Sequence, residues 1–120
     1  MNDMRVSIKG KVGAPHIDRR EIAVNVKLEY DKLPLDKYPI TNIKTSEGIG
    51  VTLVNGVHEC EASLHRYENG SFYIGSATER KRSRDYAKIF IKFLEGTGLI
   101  EKGKLVKLEF EGLKVYIDKI

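Results

Sequence analysis

The segment 85–95 constrains the fold most, because its apolar residues recur with the spacing of one buried helix face. Those residues, at positions i, i+3, i+4, i+7 and i+8, are Tyr86, Ile89, Phe90, Phe93 and Leu94. Ser83 or Asp85 can cap the start of this helix, and Gly96 and Gly98 can end it. A helix face this apolar must be covered, so the rest of the chain has to supply a surface that packs on it.

Alternation of apolar and polar residues predicts about seven β-strands, mostly antiparallel, in the rest of the chain. The predicted strands are 5–12, 22–30, 49–54, 57–66, 71–77, 104–110 and 113–117. The first two are expected to pair as an antiparallel hairpin, and Asn55-Gly56 and Asn69-Gly70 are strong signals for further hairpin turns. Segment 31–48 has no regular pattern. The predicted fold class is β-rich α+β: an open barrel or curled sheet with one main amphipathic helix, 85–95.

Length and composition favour a single globular domain, 1–120. The chain has 120 residues, of which 41% are hydrophobic and 32% charged, enough apolar sequence for a real core. No apolar run approaches the roughly 18 residues of a membrane span, and the N-terminus lacks a signal-peptide pattern, so we expect a cytoplasmic protein with no membrane partner. The single cysteine, Cys60, agrees with a reducing compartment. Abundant lysine and glutamate without any glutamine are typical of a thermophile.

A basic segment precedes the predicted helix. Its four cations in five residues are Arg80, Lys81, Arg82 and Arg84. Beside a helix N-terminus, in a chain of net charge +4, they favour a phosphate-bearing partner, and the alternative is a solvated charged loop. Tyr73, on the preceding strand, can stack on a base. Arg19 and Arg20 are flanked by Asp18 and Glu21, which can neutralise them, so they add to this site only if folding brings them to the same side.

A second candidate group, His65, Arg66 and Tyr67, is expected at the tip of a hairpin. Histidine and arginine can donate hydrogen bonds to base edges and tyrosine can stack, whereas the alternative is an ordinary polar turn. We expect no metal site, because alternation along the strand puts His58 and Cys60 on one face and His65 on the other.

The sequence contains no enzyme signature. Glu59 and Glu61 share one strand face about 7 Å apart, but adjacent acids there are usually solubilising and no general acid accompanies them. The segment 48–50 lacks the further glycine and the lysine of a phosphate-binding loop, and no nucleophile elbow is present. We therefore expect neither catalysis nor a cofactor.

The order of elements in residues 51–118 resembles the DNA-binding pseudobarrel family. The stretches that carry the resemblance are 54–56, 58–66, 70–74, 89–94 and 98–108. That family includes the plant auxin-response-factor type domain and the recognition domains of some restriction enzymes. The resemblance implies that two hairpin arms enter the major groove of DNA, and the corresponding segments here are 13–20 and 65–71.

The sequence thus predicts a non-catalytic nucleic-acid-binding protein, with double-stranded DNA as the favoured partner. Its predicted contact residues are Arg80, Lys81, Arg82, Arg84, His65, Arg66, Tyr67, Arg19, Arg20 and Tyr73. Two alternatives remain open. One is a single-stranded nucleic-acid binder that uses exposed aromatic rings, and the other is a protein-interaction module or regulatory subunit. The sequence also leaves open a homodimer or another protein partner.

Overall fold

The computed structural model describes residues 6–13, 16–18, 21–23, 25–28, 48–66 and 72–120. Its elements are, in chain order, β1 (Val6–Val12), β2 (His16–Asp18), β3 (Glu21–Ala23), β4 (Val26–Leu28), β5 (Ile49–Asn55), β6 (His58–Arg66), β7 (Phe72–Ser76), α1 (Thr78–Lys81), α2 (Asp85–Gly96), β8 (Leu105–Glu111) and β9 (Lys114–Lys119). None of the helices within these ranges is long and apolar enough to cross a membrane.

Seven of these strands form a closed barrel in the order β1-β4-β7-β6-β5-β9-β8, and β8 pairs with β1 to complete it. Neighbouring strands are antiparallel except β5 and β9, which are parallel. The predicted β-rich α+β class, with seven mostly antiparallel strands and one main helix, is confirmed, and the barrel is closed rather than open. Strand β9 lies between β5 and β8, so its backbone is paired on both sides.

The predicted strand 22–30 is divided into two strands with different partners. β3 pairs with β2 in a separate two-stranded sheet and lies against α2, whereas β4 pairs with β1 and β7 inside the barrel. The predicted pairing of this run with the first strand is therefore confirmed for β4. Both parts keep the two-residue period of a strand, so alternation could not reveal the division. The turn at 68–70 and nearly all of segment 31–48 lie outside the described residues.

The barrel interior and the apolar face of α2 form one hydrophobic core. Its fully buried large side chains include Leu53, Leu64, Phe72, Ile74, Phe90, Leu94, Leu108, Phe110 and Ile117. The buried face of α2 differs slightly from the predicted one: Ala87 is buried, Tyr86 is half-buried, and Ile89 is 44% exposed. Hydrophobicity alone placed Ile89 inside, but the packed face is centred on Ala87, Phe90 and Leu94.

The C-terminal end of α2 is fixed by a Schellman motif at Gly98, as predicted, whereas Gly96 is still part of the helix and does not have the predicted left-handed conformation. Leu99 N–H donates to the Leu94 carbonyl at 2.8 Å, and Gly98 N–H donates to the Glu95 carbonyl at 3.2 Å. Gly98 has φ +74°, a conformation that a residue without a Cβ adopts at little cost. Leu94 and Leu99 are both fully buried, which is the apolar contact that usually accompanies this motif.

Candidate nucleic-acid interface

The basic segment 80–84 is a helical turn followed by a tight connection, not the loop that its composition suggested. Arg80 and Lys81 end the short helix α1. Arg82 follows in the left-handed region with φ +55°, and Arg84 occupies the N-cap position of α2. Ser83 Oγ accepts a long hydrogen bond of 3.4 Å from the backbone N–H of Asp85. Arg80 and Lys81 therefore belong to helix α1, whereas Arg82 and Arg84 belong to the connection that leads into α2.

Arg80 is used within the protein to fasten α1 to the barrel wall. Its Nη2 donates to Glu61 Oε2 at 2.6 Å and to the Ala62 carbonyl at 3.2 Å, and its Nε donates to Ser63 Oγ at 3.2 Å. Gly50, opposite Ser63 on β5, leaves the space for this guanidinium, since a Cβ there would lie 2.8 Å from Arg80 Cζ. A charge-assisted pair supported by two further bonds fixes the orientation of the arginine plane.

Lys81 shares the same carboxylate, with its Nζ 3.1 Å from Glu61 Oε2. The hydrogen bonds from Arg80 and then from Lys81 hold the pKa of Glu61 below its usual value of 4.5. The sequence suggested that Glu61 was a solubilising acid, whereas the structure shows that it partly neutralises the first two cations of the basic segment. Since the partners are 19 and 20 residues apart in the chain, no local pattern indicated the pairing.

Cations along α2 form the more accessible surface. Arg84, Lys88 and Lys92 follow one another at four-residue spacing, all exposed, and Arg82 is exposed just before them. We call these four residues the basic helix face. Within the described part of the chain none of them forms an ion pair. Lys88 and Lys92 were not among the predicted contact residues, although their helical spacing from Arg84 is visible in the sequence once the helix is predicted.

This arrangement is not explained by helix stability. Like charges at i, i+4 destabilise a helix by about 0.2–0.5 kcal/mol per pair, and cations near the helix N-terminus oppose the helix dipole. Asp85 and Glu95 are exposed on the same helix, yet neither lies within ion-pair distance of Arg84, Lys88 or Lys92. An external anion would complement the basic helix face better than the described part of the chain does.

Of the remaining predicted contact residues, the structure describes the side chains of His65 and Tyr73, and both are at least partly buried. His65 is only 5% exposed in β6, and its ring stacks on Tyr73 of β7 with a centroid separation of 4.8 Å. Tyr73 is half-buried. His65 therefore does not present a donor at a hairpin tip, because β6 continues beyond it and pairs its residues with β7. Arg19, Arg20, Tyr67 and the side chain of Arg66 lie outside the described residues.

The described residues contain no group of three His, Cys, Asp or Glu side chains that could hold a metal ion. Cys60 is buried in the core, as its position on β6 predicted, while His58 is exposed near the start of that strand. Burial, with a smaller effect from the charge of Glu61, raises the pKa of the Cys60 thiol to about 11. A thiol in this setting is mostly protonated at neutral pH and is a poor nucleophile.

Comparison of the chain with protein-family models, with curated proteins and with solved structures gives no match. The resemblance to the DNA-binding pseudobarrels therefore stays a prediction. What can be inferred about function depends on the residues and their geometry.

Proposed function

We propose that the protein binds nucleic acid, with double-stranded DNA as its preferred form, through the basic helix face, and that it does so without catalysis. The observation that supports this most is the row of exposed cations Arg84, Lys88 and Lys92, with Arg82 before it, none of which forms an ion pair in the described part of the chain. Backbone phosphates are the repeating anions that suit such a row.

The length of the row favours a duplex. Arg84 and Lys92 are eight positions apart, which corresponds to about 12 Å along a helix at 1.5 Å per residue. The major groove of B-DNA is also about 12 Å wide. Cations at the two ends of the row can therefore approach phosphates on opposite sides of one groove, with the exposed Lys88 between them.

The cations have different roles in this proposal. Arg82 and Arg84 contact phosphates, since a planar guanidinium can bind a phosphate through two parallel hydrogen bonds. Lys88 and Lys92 extend the contact as point charges. Arg80 and Lys81 act mainly as positioning residues, because Glu61 already holds both and so fixes where α1 ends and Arg82 begins.

Single-stranded nucleic acid is the second candidate, and one observation favours it. Tyr73 on β7 lies directly opposite the exposed Lys27 on β4, which places an aromatic ring beside a cation. Proteins that hold single strands combine stacked aromatic rings with cations that follow the backbone. Preference between duplex and single strand separates the two candidates.

The test compares three proteins by fluorescence anisotropy, with a labelled duplex and with its single strand, over a salt series. They are the wild type, a helix-face variant R84A/K88A/K92A, and a matched variant K102A/K114A/K119A that removes three exposed lysines elsewhere. We expect the wild type to prefer the duplex. The slope of log K against log salt is negative, and in the helix-face variant its magnitude should fall by up to about 2.7, which is about 0.9 for each lost phosphate contact.

The matched variant controls for net charge, because both variants lose three positive charges. It should keep most of the wild-type affinity and salt slope. Equal weakening in the two variants would mean that binding depends on total charge and not on the helix face. Absence of duplex binding at low salt would overturn the proposal, and stronger binding of the single strand would favour the second candidate.

A further inference from the structure

A second group of lysines lies on the outer wall of the barrel, where β8, β1 and β4 are neighbours. Lys9 on β1 is directly opposite Lys107 on β8, and Lys11 on β1 is directly opposite Lys27 on β4. All four are exposed, while Ile8 and Val12, which alternate with the lysines along β1, point into the core. We call these four residues the lysine tetrad.

The lysine tetrad places like charges where a sheet tolerates them poorly. Residues directly opposite on antiparallel strands have their Cβ atoms about 4.5–5.5 Å apart, and like charges there are destabilising. Lys9 and Lys11 are also only about 7 Å apart along β1. Within the described residues, one acid forms an ion pair with the tetrad: Glu109 Oε1 lies 3.3 Å from Lys107 Nζ. Three positive charges therefore remain without an ion-pair partner among the described residues, and an external anion would stabilise the folded protein by neutralising them.

The lysine tetrad and the basic helix face belong to different elements of the fold. In the ring of seven strands, β6 is separated from β1 by β4 and β7, and from β8 by β5 and β9, so β6 is opposite the β8–β1 pair. Helix α2 packs mainly against β6, β3 and β7, and not closely against β1 or β8. Lys9 and Lys107 therefore lie on strands outside the main contact surface of α2.

We propose that the lysine tetrad is a second phosphate-binding surface, which holds a second segment of nucleic acid so that one protein molecule joins two duplex segments. This inference depends on the proposed function of the basic helix face for the first segment. A nucleic acid is favoured over a protein partner because lysine is depleted at protein–protein interfaces, whereas interfaces with nucleic acid are strongly positive.

The first test is a bridging assay. A biotinylated duplex is fixed to beads, protein is added, and retention of a second, fluorescent duplex is measured for wild type and for the tetrad variant K9T/K11T/K27T. Threonine keeps the strand-forming tendency of these positions, so the variant should fold. We expect the wild type to retain the fluorescent duplex. The tetrad variant should bind the first duplex within about threefold of wild type, as measured by anisotropy, and lose bridging.

Controls separate this inference from the proposed function. R84A/K88A/K92A should lose affinity for the first duplex, and wild-type affinity in that variant would overturn the proposed function alone. Bridging that persists in the tetrad variant would overturn the inference and would point to a dimer that binds through two helix faces, which light scattering of the free protein would detect. If the tetrad variant loses single-duplex binding as severely as the helix-face variant does, the two groups form one site and the inference is also wrong.

Inorganic tripolyphosphate supplies an independent readout, with no nucleic acid present. It should raise the melting temperature of the wild type and of K102A/K114A/K119A, and raise it clearly less in the tetrad variant, because a ligand that binds only the folded state stabilises it. If tripolyphosphate raises the melting temperature of the wild type and the tetrad variant equally, the tetrad is not a phosphate-binding site and the inference is wrong. Tetrad-dependent binding to vesicles rich in phosphatidylserine, without tetrad-dependent bridging, would assign the surface to a membrane instead.

Discussion

Arg82 is the residue at which fold stability and the proposed function oppose each other. It has φ +55°, and among the described residues it is the one non-glycine with positive φ. The left-handed conformation costs a residue with a Cβ about 1–2 kcal/mol, whereas glycine adopts it freely but loses about 0.5–1 kcal/mol in chain entropy. We therefore expect Arg82→Gly to raise the free energy of unfolding by about 0.5 kcal/mol, measured by urea denaturation, and to weaken duplex binding.

Arg84→Gly is the matched control, because it removes the same charge from a residue with φ −68° and ψ −16°. Glycine has no left-handed strain to relieve there, so this variant should not show the gain in stability expected for Arg82→Gly, while it also weakens binding. Equal destabilisation by the two substitutions would show that the left-handed turn is not part of the folded state in solution.

Residue-scale roles were the part of the site least accessible from sequence. Four neighbouring cations look equivalent in a sequence, and only the fold reveals that Arg80 and Lys81 face Glu61 while Arg82 and Arg84 face solvent. Gly50 likewise has a role that depends on a side chain 30 positions away, whose guanidinium occupies the space a Cβ would need. These contacts join separate elements, and such contacts leave no periodic signal along the chain.

At the scale of elements, the attachment of α1 to β6 should depend on pH. Glu61 has a lowered pKa in the folded protein, so its contribution is present above its usual value of 4.5 and is lost as the pH falls through the lower folded value. Comparing wild type with Glu61→Gln by urea denaturation, we expect a stability difference of at most about 1 kcal/mol near pH 6, since the carboxylate side chain is 39% exposed. That difference should shrink as the pH falls below 4.5 and through the lower folded value.

Glu59→Gln is the control for this prediction, because Glu59 is exposed on the same strand and forms no ion pair within the described residues. Its stability should follow the wild type across the pH range. A difference between Glu61→Gln and wild type that stays constant on acidification would mean that the ionised carboxylate does not hold α1.

Elements with strong local signals were predictable from sequence. The periodicity of 85–95 predicted the helix, Gly98 predicted its end, and Asn55-Gly56 predicted the β5–β6 hairpin, in which Gly56 has φ +61°. The sequence did not predict features that depend on packing, such as the division of 22–30 into β3 and β4 or the exposure of Ile89. Periodicity identifies an apolar face, but the surface that covers the face determines its edges.

At the scale of the whole molecule, the sequence patterns did not predict that the barrel is closed. The hairpins β5–β6 and β8–β9 join strands that are neighbours in the chain, whereas the parallel β5–β9 pair and the β8–β1 pair join strands about 60 and 100 residues apart. A curled sheet and a closed barrel have the same local patterns. The closed form nevertheless has a specific steric requirement at the place where β1 meets both of its neighbours.

Gly10 meets that requirement, and adding a methyl group there tests the closure. Gly10 pairs with Val106 of β8 and Leu28 of β4, and an added Cβ would lie 2.7 Å from Leu108 Cδ1 and 3.0 Å from the Lys27 carbonyl oxygen. Gly10→Ala should therefore lower the free energy of unfolding by about 1–3 kcal/mol, the usual cost of overpacking. In urea denaturation, we expect a lower midpoint with an unchanged m-value.

Two further variants show whether the loss comes from this contact. Leu108→Val shortens the side chain that the new methyl group meets, so G10A/L108V should lose less stability than the sum of the two single losses. The rescue should be partial, because the Lys27 carbonyl belongs to the backbone and cannot move aside alone. Gly96→Ala makes the same chemical change in open space in the last turn of α2, where the higher helix propensity of alanine should raise stability by up to about 1 kcal/mol. Additive losses in the double variant would mean that β1 and β8 do not approach each other as closely as the closed barrel requires.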